Sequence, residues 1–298
     1  MNGILIVNKP SGITSFGVIA ALRKKLNQKK IGHMGTLDPM ATGVLPVLLG
    51  DTAKFQVFSS NEEKSYIATM KFGLTTDTLD ITGNILSEMN SEITENDLKK
   101  VLNKFLGNIH QIPPMFSAIK KNGVKLCDLA RKGVEVDRKS REVIINSINL
   151  LNFDYESQEA TISVDCSKGT YIRTLCSDIG DSLGCGATTL KLQRTFSNGF
   201  NIENSFLLDE ILNSPVSDVI QKMILPTEKL FDDLDNTYIT EPQMMRFKNG
   251  GSLLISRVKI CGKIEDEKIL KIYFGEKFVG IGKIDIMSSS IKVLKFLK

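Results

Sequence analysis

GHMGTLDPMATGVLPVLLG, residues 32–50, changes character halfway along. Its first twelve residues hold Gly32, Gly35, Gly43 and Pro39, a density of backbone punctuation that demands a shaped loop. The remainder, VLPVLLG, is almost wholly apolar and reads as a buried strand. A loop that runs straight into a buried strand holds its side chains on a rigid base. The charged group in that loop is Asp38, placed immediately before Pro39, with glycines that open backbone conformations closed to other residues. Such a carboxylate is a candidate catalytic group. The plainer alternative is a turn cap, because Asp-Pro commonly starts turns.

Outward from the loop, Ile4–Val7 closes on Asn8, Lys9 and Pro10 and reads as a strand or extended arm. From Ser15, Phe16, Ile19, Leu22 and Leu26 follow helical spacing, with Arg23, Lys24 and Lys25 on the opposite side. In KSYIATMKFG (64–73), Tyr66, Ala68, Met70 and Phe72 alternate with period two and share one face of a half-buried strand. Thr94 and Asp97 open a helix in which Leu98, Val101, Leu102 and Phe105 recur on one stripe. Residues 143–153 and 160–166 read as strands. After Gly169 the period turns helical, through Ile172, Leu175, Cys176, Ile179 and Leu183. With no regular βαβ rhythm, this is a mixed-sheet α+β domain.

The 298 residues, 42% hydrophobic and 24% charged, suit about two globular domains. A second unit is expected from Pro226, giving a division into residues 1–225 and 226–298. Thr240 caps a helix with Pro242 in its first turn and Gly250 and Gly251 at its end. Four strand-like runs follow, at 253–260, 268–275, 278–284 and 291–297. Apolar runs stop at about five or six residues, far short of the ~20 that span a bilayer, and MNGILIVNKP lacks the form of a signal peptide. Five scattered cysteines without a C-x-x-C pair, and only His33 and His110, give no zinc spacing. A reduced, cytoplasmic protein without membrane or metal is expected.

Charge is distributed unevenly. Residues 1–50 carry six bases against Asp38 alone, residues 203–245 carry nine acids against two lysines, and residues 246–298 carry twelve bases against five acids. Basic ends around an acidic middle fit a polyanion partner. The run RKKLNQKK (23–30) contributes Arg23, Lys24, Lys29 and Lys30. A second strip holds Lys120, Lys121, Lys125, Arg131 and Lys132 with one acid, Asp128. Together they are read as an RNA-facing surface. No phosphate loop and no nucleophile elbow occur. GCGATT (184–189) is only a partial dinucleotide pattern, and it follows a helix rather than a strand.

Five motifs in order complete the reading. NKPSGITS (8–15), the loop at 32–50, KSYIATMKFGLTTDTLDITG (64–83), CSKGTYIRTLCSDIG (166–180) and GATTLKLQRTFSNGF (186–200) resemble the TruB family of tRNA pseudouridine synthases. PPMFSAIKKNGVKLCDLARKGVEVDRK (113–139) is similar to that family's proline-led segment and basic RNA-binding insert, taken as about 113–142. The tail resembles, more weakly, a small β-rich RNA-binding domain of the PUA type. The resemblance implies an isomerase converting uridine to pseudouridine at position 55 in the T arm of tRNA, by flipping the base out of its stack. It implies Asp38 as the catalytic aspartate, Tyr66 as the tyrosine on the target base, and Arg173 as the aspartate's partner. It implies His33 holding the flipped region, Lys9 near the site and Leu192 lining the pocket. Cys127 and Thr188 depart from the family's pattern, which often has an aromatic and a histidine there.

The chemistry agrees with that assignment. Moving a base from its N1 to its C5 on the same ribose consumes no energy donor, redox partner or metal, so no cofactor is expected. It requires a carboxylate facing the ribose, either adding to it or taking a proton from it. A nearby arginine keeps that carboxylate ionised, and a tyrosine offers a flat face to the base. Flipping the base costs a few kcal/mol, so extensive backbone contacts are required. A monomer with no obligate protein partner is expected. Two other readings stand beside this one. The first is a non-catalytic tRNA-binding or folding protein on the same scaffold. The second is a nucleoside glycosidase with Asp77 or Asp80 as its second carboxylate.

Overall fold

The computed structural model describes residues 1–59 and 62–298. Its main body is an eleven-stranded mixed sheet. Its main path runs Phe206–Leu207, Gly3–Lys9, Thr42–Leu49, Ala187–Ser197, Lys64–Phe72, Glu159–Cys166, Arg141–Asp154, Gly107–Gln111. Two pairings on that path are parallel: Gly3–Lys9 with Phe206–Leu207, and Thr42–Leu49 with Ala187–Ser197. The expected α+β architecture is present.

The apolar runs at Ile4–Val7 and Val44–Leu49 are unbroken because both faces of those strands are covered. Leu5, Val7, Leu45, Val47 and Leu49 face one core, with the helices Ser15–Lys25 and Ile172–Ser182 packed on it. Ile4, Ile6, Val44 and Leu48 face the other way, into a cluster with Phe55, Leu230, Phe231, Phe278 and Ile281. That second cluster joins the main sheet to a six-stranded C-terminal sheet. The C-terminal sheet runs Leu253–Leu254, Ser290–Phe296, Lys277–Asp285, Ile269–Phe274, Asn236–Ile239, Lys259–Cys261. It is the small β-rich, PUA-like unit. Among the described residues, no helix is long and apolar enough to cross a membrane.

Several sequence expectations hold at residue level. Tyr66, Ala68, Met70 and Phe72 are all buried on one face of Lys64–Phe72. Thr94 caps the helix Glu95–Leu102 by accepting from the Asp97 N–H. Thr240 and Gln243 close a capping box on Glu241–Lys248.

Others need correction. Phe16, placed on the apolar stripe, is 65% exposed, with the Arg23 guanidinium 5.7 Å from its ring centroid. The helix is turned instead by Ser15, which points inward, and at about 100° per residue this puts Val18, Ile19 and Leu22 on the buried side. Phe105 leaves the helix for a 3₁₀ turn, Asn103–Phe105. The run at 253–260 is not one strand. A 3₁₀ turn at Ile255–Arg257 splits it, sending Leu253–Leu254 and Lys259–Cys261 to opposite edges of the C-terminal sheet. Asn236–Ile239, an interior strand there, had no clear alternation and was not anticipated.

Candidate active site

Of the three loop glycines, Gly35 (φ +77°) and Gly43 (φ +101°) take left-handed backbone, and Gly32 does not. At Gly43 the reason is also steric, since an added Cβ would lie 2.1 Å from the Arg194 carbonyl oxygen. The loop between them is fastened from several sides. Lys9, fully buried, donates from Nζ to the carbonyls of Pro10 (2.9 Å), Ile13 (2.7 Å) and Pro39 (3.2 Å). Ser15 Oγ accepts from the Leu37 N–H at 2.9 Å and donates to the Leu37 carbonyl at 3.1 Å. The Gly12 N–H donates to the Pro39 carbonyl at 2.8 Å. NKPSGITS is therefore the clamp for the residues on either side of Asp38.

Arg173 joins that carboxylate to two other segments. Its Nε donates to Asp38 Oδ2 at 2.8 Å, Nη1 to the Thr78 carbonyl at 2.6 Å, and Nη2 to the Phe116 carbonyl at 2.8 Å. Asp80 Oδ2 stands 3.5 Å from Nη1. Arg173 is 3% exposed, so it is no surface residue. The buried Asp80 is itself held by the Thr82 N–H (3.0 Å), Thr82 Oγ1 (2.5 Å) and Thr78 Oγ1 (2.9 Å). Its role is to anchor Arg173. Asp77 instead accepts from the Asn84 N–H at 2.8 Å and closes its own turn. This geometry gives no support to either as a second carboxylate flanking a glycosidic bond.

Asp38, Tyr66, Arg173 and Leu192 all line one cavity of about 260 Å3, with Lys64, Ser117, Tyr171 and Arg194 among its other walls. The volume lies below the ~300–1,000 Å3 of usual small-molecule clefts, which suits a single nucleoside. Strand register assembles the wall: Leu192 pairs with Ala68, and Arg194 with Tyr66. Burial pushes the Tyr66 phenol above its ordinary pKa, against the pull of the Arg194 charge. A larger cleft of about 1020 Å3 is bordered by Phe196, Phe200, Glu203 and Asp232 and contains none of these groups.

The remaining sequence candidates fall elsewhere. Lys9 braces the loop and lies outside the cavity wall; burial lowers its pKa to about 8, opposed by the Asp38 charge. His33 also stays outside that wall, on the short strand Ile31–His33, with Nδ1 buried and unpartnered. Its pKa is lowered by burial and then by Arg194. Thr188 is fully buried, so that departure from the family pattern touches no surface. Lys24, Lys29, Lys30, Lys120, Lys121, Lys125, Arg131 and Lys132 are exposed. Arg23 is half-buried and donates to the Ile31 carbonyl at 2.9 Å. Lys121 donates to the Asp137 carbonyl, and Arg131 pairs with Asp128 at 3.3 Å. Sequence reading missed Ser15, Asp80 as an anchor, and Arg194.

A carboxylate pinned by arginine, an aromatic ring across a nucleoside-sized cavity and a mixed sheet with a PUA-like tail together define a pseudouridine synthase scaffold. Residues 23–172 match the TruB family pseudouridylate synthase N-terminal domain, and residues 173–232 match the tRNA pseudouridylate synthase B C-terminal domain. The chain belongs to the TruB family. It is 44% identical to tRNA pseudouridine synthase B of Clostridium tetani, over 100% of both chains. It is 37% identical to the protein of the same name from Saccharophagus degradans, over 95% of this chain and 92% of that one. Among solved structures, a chain of a Cbf5-Nop10-Gar1 complex superposes with a TM-score of 0.74 at 26% identity, covering 99% of this chain and 84% of that one.

Proposed function

We propose that this protein isomerises uridine to pseudouridine at position 55 in the T arm of tRNA, with Asp38 as its catalytic carboxylate. The observation that carries the reading is the Asp38–Arg173 pair, 2.8 Å apart, opening into the same cavity as Tyr66 and Leu192. The N1–C1′ bond breaks, the base turns, and C5 bonds to C1′. One proton leaves C5 and one is taken up at N1, so the product is an isomer. Asp38 faces the ribose, Tyr66 stacks on the base, and Leu192 closes the pocket beneath it. Lys9 acts by fixing the loop, and His33 acts from outside the cavity wall on the neighbouring nucleotides.

The exposed lysines of the two basic strips, with Arg23 and Arg131, would take the phosphate backbone of the T arm. The chemistry belongs to residues 1–225, and residues 226–298 add affinity. Because Leu230, Phe231 and Phe278 share a core with Ile4 and Val44, the division is tested on the whole chain. We place the enzyme in the cytoplasm, as a monomer needing no protein partner. About four to six phosphate contacts imply a loss of roughly three to five orders of magnitude in affinity per tenfold rise in salt. A flat salt profile would refute the polyanion reading.

The decisive experiment incubates purified protein with T-arm RNA and maps pseudouridine. Asp38→Asn is expected to keep its fold, bind RNA within a few-fold of wild type, and form no product. Turnover by a well-folded Asp38→Asn protein would sink the mechanism. Binding without product in the wild type would favour the non-catalytic folding protein.

A further inference from the structure

Two buried guanidinium groups stand at this site, and their surroundings differ. Arg173 has carboxylate oxygens of Asp38 and Asp80 at 2.8 and 3.5 Å. Arg194, fully buried, has neutral partners instead. Its Nε donates to the Val44 carbonyl (2.7 Å), Nη2 to Gly35 (3.1 Å) and Nη1 to Thr36 (3.4 Å). Among the described residues, no carboxylate lies within ion-pairing distance of it. The Tyr66 hydroxyl adjoins the guanidinium as a further uncharged group. Removing such a charge from water without a counter-charge is costly, by several kcal/mol after relaxation.

Its place in the fold is specific. Strand register sets Arg194 opposite Tyr66 on one side and Gly43 on the other, and its side chain forms part of the cavity wall. Lys64, a second cation, lines the same wall. The positive field is felt locally: burial first, and Arg194 second, lower the pKa values of both Lys64 and His33. The catalytic carboxylate does not neutralise this charge, since Asp38 is already bound to Arg173.

The reaction supplies an anion at this position. When N1–C1′ breaks heterolytically, the bonding pair stays on the uracil ring, spread over N1, O2 and O4. The ring is anionic until C5 bonds to C1′; C5 then gives up its proton and N1 takes one up. We propose that Arg194 is the counter-charge for the detached uracil ring, stabilising it between bond breaking and bond making. The proposal rests on the isomerase reading above. It separates the labour of the two arginines: Arg173 positions the carboxylate, and Arg194 holds the charge that leaves the ribose. Fixed charge aimed at where charge develops is worth about 10²–10³ in rate per donor group.

A bracing role must be told apart from this one, because the same guanidinium holds carbonyls on both sides of Asp38. The test compares wild type, Arg194→Lys and Arg194→Met in single-turnover reactions on T-arm RNAs carrying uridine or 5-fluorouridine at the target. Consumption of the parent nucleoside is read by mass spectrometry after digestion. Fluorine at C5 withdraws electrons and steadies the uracil anion without help from the protein. On uridine, Arg194→Met is expected to lose about 10²-fold or more. On 5-fluorouridine its deficit relative to wild type should shrink at least about tenfold. Arg194→Lys, which keeps the charge and loses the fork, should fall between them on uridine.

Equal losses on the two substrates would overturn the proposal and leave Arg194 as a brace alone. If Arg194→Met does not fold, the same two-substrate ratio is read on Arg194→Lys, where any deficit on uridine that persists undiminished on 5-fluorouridine overturns it. A wild type that leaves uridine untouched would instead overturn the isomerase reading itself.

Discussion

Arg173→Lys is the most revealing perturbation of the Asp38 network, because it keeps the charge and removes the geometry. Arginine serves Asp38, Thr78 and Phe116 through three separate nitrogens, at 2.8, 2.6 and 2.8 Å. A lysine has a single nitrogen and cannot reach all three segments at once. Charge-assisted hydrogen bonds contribute about 1.5–3 kcal/mol each, and buried acceptors left unpaired add a penalty. Losing two of the three therefore costs roughly 3–6 kcal/mol, divided between stability and the transition state. If about half falls on the reaction, at 1.36 kcal/mol per tenfold the rate drops roughly 10- to 150-fold. The other half lowers Tm by several degrees, at about 2–4 °C per kcal/mol for a chain near this size. RNA affinity should change only a few-fold, since Arg173 is buried and the lysines proposed to meet phosphate are exposed. Single-turnover rates, filter-binding affinities and thermal melts on one preparation check all three. Equal, mild losses in rate and affinity would refute the reasoning and move Arg173 onto the phosphate backbone.

Ser15→Ala removes both bonds to Leu37 and leaves a buried N–H and C=O unpaired, so turnover should fall about tenfold or more with affinity nearly unchanged, as single-turnover kinetics would show. Gly43→Ala combines left-handed backbone with a Cβ at 2.1 Å from the Arg194 carbonyl, and is expected to lower stability by roughly 2–5 kcal/mol. Gly133→Ala, also at positive φ but with nothing within 4 Å, is the control and should lose only about 1–2 kcal/mol in the same chemical-denaturation assay. Lys9 titrates near pH 8 in the fold against 10.5 ordinarily, so between those values the unfolded chain binds more protons and this group adds stability as pH rises. Turnover should move oppositely, falling as the ammonium loses its grip on Pro39. The Tm difference between wild type and Lys9→Met, followed beside wild-type turnover across that range, tests the pairing, and parallel declines would count against it.

What was legible in the sequence was what local pattern controls. Period-two alternation placed Tyr66 on the inner face of its strand, and the density of glycines marked the Asp38 loop before any pairing was known. Arg173 was legible only through its motif, because nothing in the spacing of residues 166–180 says that a guanidinium must reach across to Thr78 and Phe116. Phe16 misled for a related reason. Helical spacing fixes which residues share a stripe, but the rotation of this helix was set by a polar contact, Ser15 to Leu37, twenty-two positions away.

The buried charges of this site share one physical signature, and it was readable. Lys9 ends the apolar strand Gly3–Lys9, and Arg194 lies two residues beyond Leu192 on a strand whose inward positions are otherwise apolar or small. A charged side chain on an inward position is expensive unless it is answered, so each such residue predicts a partner. Lys9 is answered by three loop carbonyls and Arg173 by two carboxylates. Asp80 was visible within TDTLDIT (76–82), where Thr78 and Thr82 on either side close hydrogen bonds onto it. That local network turns its outer oxygen toward Arg173, which makes it an anchor rather than a second acid. Arg194 too is met by carbonyls that do not match its charge, and unlike Lys9 it lines the cavity. The isomerisation produces a transient anion within the cavity that this arginine lines, which is why the 5-fluorouridine comparison bears on the architecture as much as on the chemistry.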